Sequence, residues 1–520
     1  MKSHPSKARQ KREIKAIDRA VWMGGMAMAL FAAFMLVATW RLGLTYEAAQ
    51  MQYIASLILE GSAPYRGIFD INMPVTYWFH MFEITAFGKS DLAWRVFDYV
   101  TLAISCSFLY FSFEPNRRKA VILCLSLFVI FHVLGSASAL GQRDYFMLVL
   151  LSAFNFLYVK SLRDETAYAQ SYIGLAGFCL GLATFVKPTA IVLFPAFALH
   201  RLCLVRGTRE GFLCVLFFAL GGLAALVCVC SWLLSKGSLG AFFDIQLNFV
   251  LPIYSKFRYP FSWQGNRIAL GIVAVGFLAA IYCLSCPQNR RKPTSGAAFL
   301  ASSEFIVLIM LCFGIFSYLV QWKFAAYQLV PAIAYSLLTV AAAYNLSRWS
   351  PARGFRIAGL SMLVCATIVT LGQFYSARLV LGELFTFKRS EITATLIEDL
   401  QKPEFSNIDM QPLDDTSGIN EAFYRTDRQL PTRYLTGFQF FLNVSSPYID
   451  ALRTEFLARL AQAGYPPIII SKLQFPHAST YDTIGEWPDF VDFLKRHYRL
   501  AIERNFQDTD KGYRIYVSRH

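Results

Sequence analysis

Eleven long apolar runs dominate this sequence, at about 21–40, 91–113, 120–139, 143–159, 171–186, 189–204, 211–234, 268–286, 301–320, 327–345 and 356–373. Crossing the hydrocarbon of a bilayer takes roughly 17 to 25 apolar residues in a helix, and each run approaches or meets that length. In lipid every backbone polar group needs an internal partner, so runs of this kind can only be helices. A chain of 520 residues with 56% hydrophobic residues and a mean hydropathy of +0.42 is therefore read as a polytopic α-helical membrane protein with about 11 transmembrane helices.

Basic clusters fall at every second junction between runs: Lys7 to Arg19, Arg117 to Lys119, Lys160 and Arg163, Arg201 to Arg209, Arg290 to Lys292, and Arg348 to Arg356. The positive-inside rule puts these on the cytoplasmic side. The intervening segments then face outward: Glu47 to Pro74, Gly141 to Asp144, Lys187, Ser235 to Arg267, Gln321 to Tyr327, and the whole tail. The first run is too long, and too poor in small residues at a cleavage point, for a removed signal peptide, and is read as a retained anchor. The expected location is a bacterial inner membrane, multi-pass, with the N-terminus cytoplasmic and the C-terminal domain extracytoplasmic.

The formal charge of +15 is unevenly spread. From residue 374 onward the net is −2, from 17 Lys and Arg against 19 Asp and Glu, which leaves +17 for the membrane portion. The excess is topogenic, so membrane lipid and not nucleic acid is the partner it implies. All eleven Cys lie between Cys106 and Cys365, in the apolar runs or at their cytoplasmic ends; no disulfide framework is read. Cys283 and Cys286 form an isolated CxxC that no second pair or nearby His completes as a metal site.

Three divisions are expected: a basic, mobile cytoplasmic arm over 1–20, a transmembrane module over 21–373, and an extracytoplasmic α/β domain over 374–520. Glu47 to Glu60 and Met73 to Gly88 carry the spacing of two helices lying along the outer interface. The tail spacing predicts helices over Tyr448 to Gly464 and Asp489 to Tyr498, a buried strand at Ile468 to Ile470, and a terminal strand over Tyr513 to Ser518. The loop Ser235 to Arg267, with Asp244, Asn248, Tyr254, Lys256, Arg258 and Tyr259, suits either a wall contacting sugar and phosphate or an aromatic belt.

Ionisable groups at membrane depth mark functional sites by default, and here they gather at outward junctions. Glu47 and Asp70 lie in the first outer loop, Gln142-Arg143-Asp144 in a short turn, Lys187 before Pro188, and Lys323 after Gln321-Trp322. Together they are expected to ring the outer mouth of one bundle. Blander readings stand beside each: Arg143 with Asp144 as a surface ion pair, the lysines as snorkelling span ends, Asp70 as a turn residue, and Arg95 with Asp98 as a structural pair.

The segment from Glu47 through Gly61-Ser-Ala-Pro64-Tyr65 to Asp70 and Pro74, followed by Gly141-Gln142-Arg143-Asp144, Lys187-Pro188 and Gln321-Trp322-Lys323, resembles the GT-C class of membrane-integral glycosyltransferases. The resemblance runs nearly the full length in organisation and is sharp over about fifty residues. It points to the branch like bacterial dolichyl-phosphate-mannose-mannosyltransferases and aminoarabinose transferases, which use polyprenyl-phosphate-linked sugars. It implies a GT-C fold, with Glu47 and Asp144 as catalytic candidates and Tyr65, Asp70, Gln142, Arg143, Lys187 and Lys323 as substrate-binding candidates. Departures are visible. Thr45-Tyr46-Glu47 offers one acid where members commonly carry Asp or an Asp-Glu pair, Met73-Pro74 replaces a Pro-Pro, and Gln328 stands where a His is sometimes found.

The chemistry also follows from the residues. A polyprenyl phosphate leaves as a stable anion, so the step mainly requires removal of the acceptor hydroxyl proton by a base such as Glu47. Cations near the leaving oxygens, here Arg143, Lys187 and Lys323, stabilise developing charge. Asp144 would orient the acceptor or pair with Arg143, and Asp70 would hold the loop or the sugar. One base and one displacement predict inversion at the anomeric carbon. No metal or other cofactor is required on this reading; a divalent metal is compatible with it but not indicated. The expected partners are the lipid-linked donor, a cell-envelope glycan or glycolipid acceptor, and membrane lipids. The rival readings are a transporter or flippase of lipid-linked saccharides, against which stand the one-sided charges and the lack of an internal repeat, and a polyprenyl-pyrophosphate-dependent polymerase or ligase.

Overall fold

The computed structural model describes residues 7–44, 46–135, 141–164, 168–205, 209–258, 260–285, 298–348, 350, 353–374, 391–406, 408–414, 418–472, 481–506 and 511–519. Cys286 of the CxxC and the basic cluster Arg290 to Lys292 lie outside the described residues.

Among the described residues, nine helices are long and apolar enough to cross a membrane. Two more, α5 (Arg118–Leu134) and α7 (Tyr168–Thr184), have 17 residues each, the lower limit of spanning length. With these the helices coincide with all eleven apolar runs. The others needed below are α1 (Lys7–Ala38), α2 (Tyr46–Leu59), α3 (Pro74–Phe87), α4 (Asp91–Phe111), α6 (Arg143–Arg163), α8 (Leu193–Val205), α9 (Arg209–Ser235), α10 (Leu239–Asp244) and α11 (Trp263–Ser285). The basic N-terminal segment is not a loose arm from Lys7 onward. It forms the first turns of α1, because its Lys, Arg, Gln, Glu and Ala residues are good helix formers.

The chain divides into two compact units, one of 1–42, 95–227 and 259–386, the other of 43–94, 228–258 and 387–520. The first is the helical unit. Its centre is the helix Val330–Ser347, buried along nearly its whole length. Gly276 of α11 and Gly314 of the helix Ser303–Gln321 let their backbones close on it. A Cβ at Gly314 would lie 2.7 Å from the backbone of Ala332, and one at Gly276 would lie 2.4 Å from Ser336. Small residues at such crossings replace the hydrophobic drive that lipid does not supply.

Polar contacts sort the helix ends of this unit into two sets. At one end Arg117 pairs with Glu304, Arg163 donates to the Ser112 carbonyl, His200 meets the Leu300 carbonyl, and Asp18 accepts from Tyr344 and Arg348. At the other, Arg95 joins Thr39 and Asp98, His132 meets Asp98, Lys187 meets Asp144, Thr189 meets Ser317, and Asn266 donates to the Phe324 carbonyl. The partition matches the alternation of basic loops: each contact joins ends expected on the same side.

The second unit contains a four-stranded sheet of order β1-β2-β4-β3, with β1 (Gln411–Leu413), β2 (Ile468–Ser471), β3 (Tyr498–Asn505) and β4 (Gly512–Ser518). β1 runs parallel to β2, and the other pairings are antiparallel. The helices Pro447–Gln462 and Pro488–His497 coincide with the two that the apolar spacing predicts. The second stops one residue earlier than expected, because β3 begins at Tyr498. Its core is aromatic: Tyr434, Phe440, Phe456, Trp487 and Phe490 touch with ring centroids 4.9 to 5.9 Å apart, a geometry that adds to plain burial.

This unit is not built from the tail alone. The Tyr53 hydroxyl of α2 donates to the Arg428 carbonyl at 2.9 Å, and its ring meets Phe423 edge-on. The Phe69 amide donates to the Arg433 carbonyl at 2.6 Å, and Asp91 pairs with Arg425 at 2.7 Å. The first loop and the tail thus share one core, and the compact units do not follow a linear boundary at residue 374.

Candidate functional site

The first-loop candidates sit in the sheet-containing unit. Glu47 occupies the first turn of α2 and is exposed. The loop 43–94 holds five carboxylates, and four are engaged. Glu60 accepts from Lys89 and Gln429. Asp70 accepts from the Asn72 side chain at 2.6 Å and from the Tyr77 hydroxyl. Glu83 is buried against Gln52 and His80. Asp91 takes the Leu44 amide and Arg425. Glu47 alone has no side-chain partner among the described residues.

Asp70 and Tyr65 are interior residues. Tyr65 holds a left-handed backbone, φ 64°, donates its hydroxyl to the Asn72 carbonyl at 2.7 Å, and meets Phe242 of α10 edge-on. Burial and the nearby Asp70 push its phenol pKa well up, so it stays a neutral donor. Asp70, 4% exposed, thus ties the loop to α3 through Tyr77. Beyond Phe242 the chain runs straight from α10 into a π-helical turn over Ile245–Val250. Asp244 there accepts from Asn248 and Tyr448.

The remaining candidates sit at one end of the helical unit. Gly141, at φ 69°, turns the chain. Gln142 is the buried N-cap residue of α6, and its carbonyl accepts from the amides of Tyr145 and Phe146. Asp144, in the first turn of α6, is fully buried, and Lys187 places its Nζ 2.5 Å from both carboxylate oxygens. Lys187 is thus itself neutralised by a carboxylate 43 positions away. Asp144 was expected to orient the acceptor or to pair with the adjacent Arg143, and the ion pair recorded for it is with Lys187.

Lys323 has a different environment. It lies between Trp322 and Phe324, both in the left-handed region at φ 52° and 48°, a conformation costing roughly 1–2 kcal/mol for a residue with a Cβ. Burial, and then the positive charge of Arg143, draw its pKa down to about 8. Two cations held near each other in a half-buried place favour an incoming anion. The turn is secured by the Asn266 bond to the Phe324 carbonyl at 3.0 Å and by a polar chain. In that chain Gln328 donates to Gln321, Gln321 to Ser317, and Ser317 meets Thr189. Gln328 therefore supports the Lys323 turn from within.

Two buried networks escaped the sequence reading in part. Arg95 and Asp98 do pair, at 2.7 Å, and His132 and Tyr145 complete their cluster. Gln52, His80 and Glu83 form the other. The available signal was polar residues one turn apart on the apolar stretches 74–87 and 91–111. Among the described residues no three His, Cys, Asp or Glu side chains gather as a metal site would.

A family model described as dolichyl-phosphate-mannose-protein mannosyltransferase matches residues 72–234, which include Gln142, Arg143, Asp144 and Lys187. ArnT from Cupriavidus metallidurans, solved bound to undecaprenyl phosphate, matches with a TM-score of 0.53 and 11% identity over 94% of this chain and 97% of that one. The chain shares the fold of that protein. The archaeal oligosaccharyltransferase AglB from Archaeoglobus fulgidus, in complex with an inhibitory peptide and a dolichol-phosphate, matches with a TM-score of 0.50 and 12% identity over 94% of this chain and 74% of that one. No curated relative matches the sequence.

Proposed function

We propose that this protein is a glycosyltransferase of the GT-C class that moves one sugar from a polyprenyl-phosphate donor to a cell-envelope glycan or lipid acceptor on the extracytoplasmic face, with Glu47 as general base. The observation that carries the assignment is the survey of the first loop: of five carboxylates, Glu47 alone is exposed without a partner among the described residues. A base must meet its substrate, and the other four are committed to protein contacts. Glu47 takes the acceptor hydroxyl proton as the oxygen bonds to the anomeric carbon. The bond from that carbon to the phosphate oxygen breaks, and its electron pair leaves with the polyprenyl phosphate. Lys323 and Arg143 stabilise that charge. The single displacement inverts the anomeric centre, and no metal is needed.

The support for a lipid-linked donor is the family match, together with the polyprenyl phosphates named with the two similar structures. The test is purified protein with a radiolabelled polyprenyl-phosphate sugar and extracted envelope glycolipids. Wild type should release polyprenyl phosphate and label an acceptor, and should do so in the presence of a chelator. Glu47→Gln should bind donor and release nothing. Sidedness is read separately with Ser445→Cys, an exposed tail position. It should react with an impermeant maleimide in intact cells stripped of outer barriers; reaction only after lysis would put the tail in the cytoplasm.

A further inference from the structure

The two faces of the sheet are unlike. On one, Tyr513 and Ile515 of β4 are fully buried, and the Tyr513 hydroxyl donates to Asp399 at 2.6 Å. On the other, Leu500 of β3 pairs in register with Tyr516 of β4. The helix Pro488–His497 and the turn Tyr481–Glu486 cover that second face only in part. A cleft of about 560 Å³ remains there.

Its lining combines aromatic walls with positive charge. Tyr481 and Tyr516 contribute rings, and among the described residues Lys495, Arg499, Arg514 and Arg519 contribute cations against the single carboxylate of Asp482. Arg514 is held in place: its guanidinium stacks 4.0 Å from the Tyr481 ring centroid and is paired with Glu503 at 3.0 Å. The Arg519 Nε donates to the Tyr498 carbonyl at 2.7 Å. Lys495 and Arg499 are exposed. The Tyr481 hydroxyl and the Arg514 Nε are buried without a hydrogen-bond partner among the described residues, which costs free energy.

A ligand suited to such a cleft needs a flat apolar face for the rings and negative charge for the exposed cations. A sugar ring bearing a carboxylate or phosphate has both. A membrane surface offers the charge, but a concave cleft admits it poorly. We propose that this cleft binds an anionic saccharide and holds the acceptor glycan of the transfer reaction. The acceptor role rests on the function proposed above, whereas binding does not.

The experiment uses the full-length chain in detergent with a fluorescent oligogalacturonate as probe, a neutral maltooligosaccharide of equal length, and phosphatidylglycerol vesicles as competitor. Wild type and Glu47→Gln should bind the oligogalacturonate alike, and the neutral sugar should bind far more weakly. Lys495→Glu with Arg499→Glu should weaken binding roughly ten- to hundredfold, the range for loss of one charge-assisted contact. Arg459→Glu with Arg496→Glu makes the same charge change outside the cleft and should leave affinity within about threefold. The proposal fails if wild type does not bind, if neutral and anionic sugars bind equally, if both double variants lose equally, or if the vesicles displace the saccharide. Binding that behaves as expected in a protein without transferase activity would sink the proposed function and leave the cleft standing.

Discussion

The N-termini of α2 and α6 each carry an acid in the first turn, yet Glu47 and Asp144 have opposite surroundings. Glu47 is exposed and without a partner among the described residues; Asp144 is sealed and bound by Lys187 through both oxygens. The same local position therefore serves two ends. A buried ion pair fixes the junction of α6 with the end of α7, while an open carboxylate is available for proton transfer. Lys187 and Lys323 repeat the contrast among cations, one neutralised by a carboxylate and one set beside another positive charge.

The sharpest way to break the comparison is to remove each acid. Glu47→Gln should lower the transfer rate by roughly 10²- to 10⁴-fold and leave the thermal midpoint unchanged. Near-normal turnover would end its role as base. Removing one partner of the buried pair should act on stability instead. Lys187→Met leaves a buried carboxylate uncompensated, at a cost of about 3–5 kcal/mol, and the double change with Asp144→Leu should recover much of the loss. An unchanged midpoint in denaturant unfolding of Lys187→Met would show that the pair does not hold the junction.

Smaller effects are expected at Lys323. Lys323→Met should weaken donor binding roughly ten- to hundredfold, the worth of a charge-assisted contact of ~1.5–3 kcal/mol, with stability kept. Its pH dependence gives a finer reading. With its pKa near 8, the ammonium is lost as pH rises through that value, so donor affinity should fall there in wild type. Lys323→Arg, charged throughout, should flatten the fall. Bound phosphate favours the ammonium, so the falling limb should move to higher pH as donor concentration increases. A flat profile in wild type would remove Lys323 from the phosphate site.

The helical framework was legible because span length is set by bilayer thickness, and even the two 17-residue helices stand where their apolar runs lie. The pairing of Asp144 was not. Arg143 is its neighbour in sequence, but successive residues on a helix point in different directions, and a partner 43 positions away leaves no local sign. The tail was legible only where the period was strong. Ile468-Ile469-Ile470 reads as a strand without help, whereas β1 has three residues and β3 follows the preceding helix with no Gly or Pro to mark the change. Glu47 was legible as a candidate through its place after the first span. That the other four loop carboxylates are engaged could only be learned from the fold.

The shared core of the first loop and the tail also sets the timetable of biogenesis. Tyr53 is synthesised 375 residues before Arg428, its hydrogen-bond partner. At ~5–20 residues per second that interval is roughly 20 to 75 s. For this time the side chains of α2 that later meet Phe423 and its neighbours have no companion from the tail. The segment bearing Glu47 is thus made well before the tail that completes it, and a ribosome halted before the tail would leave a polytopic protein with an unfinished loop.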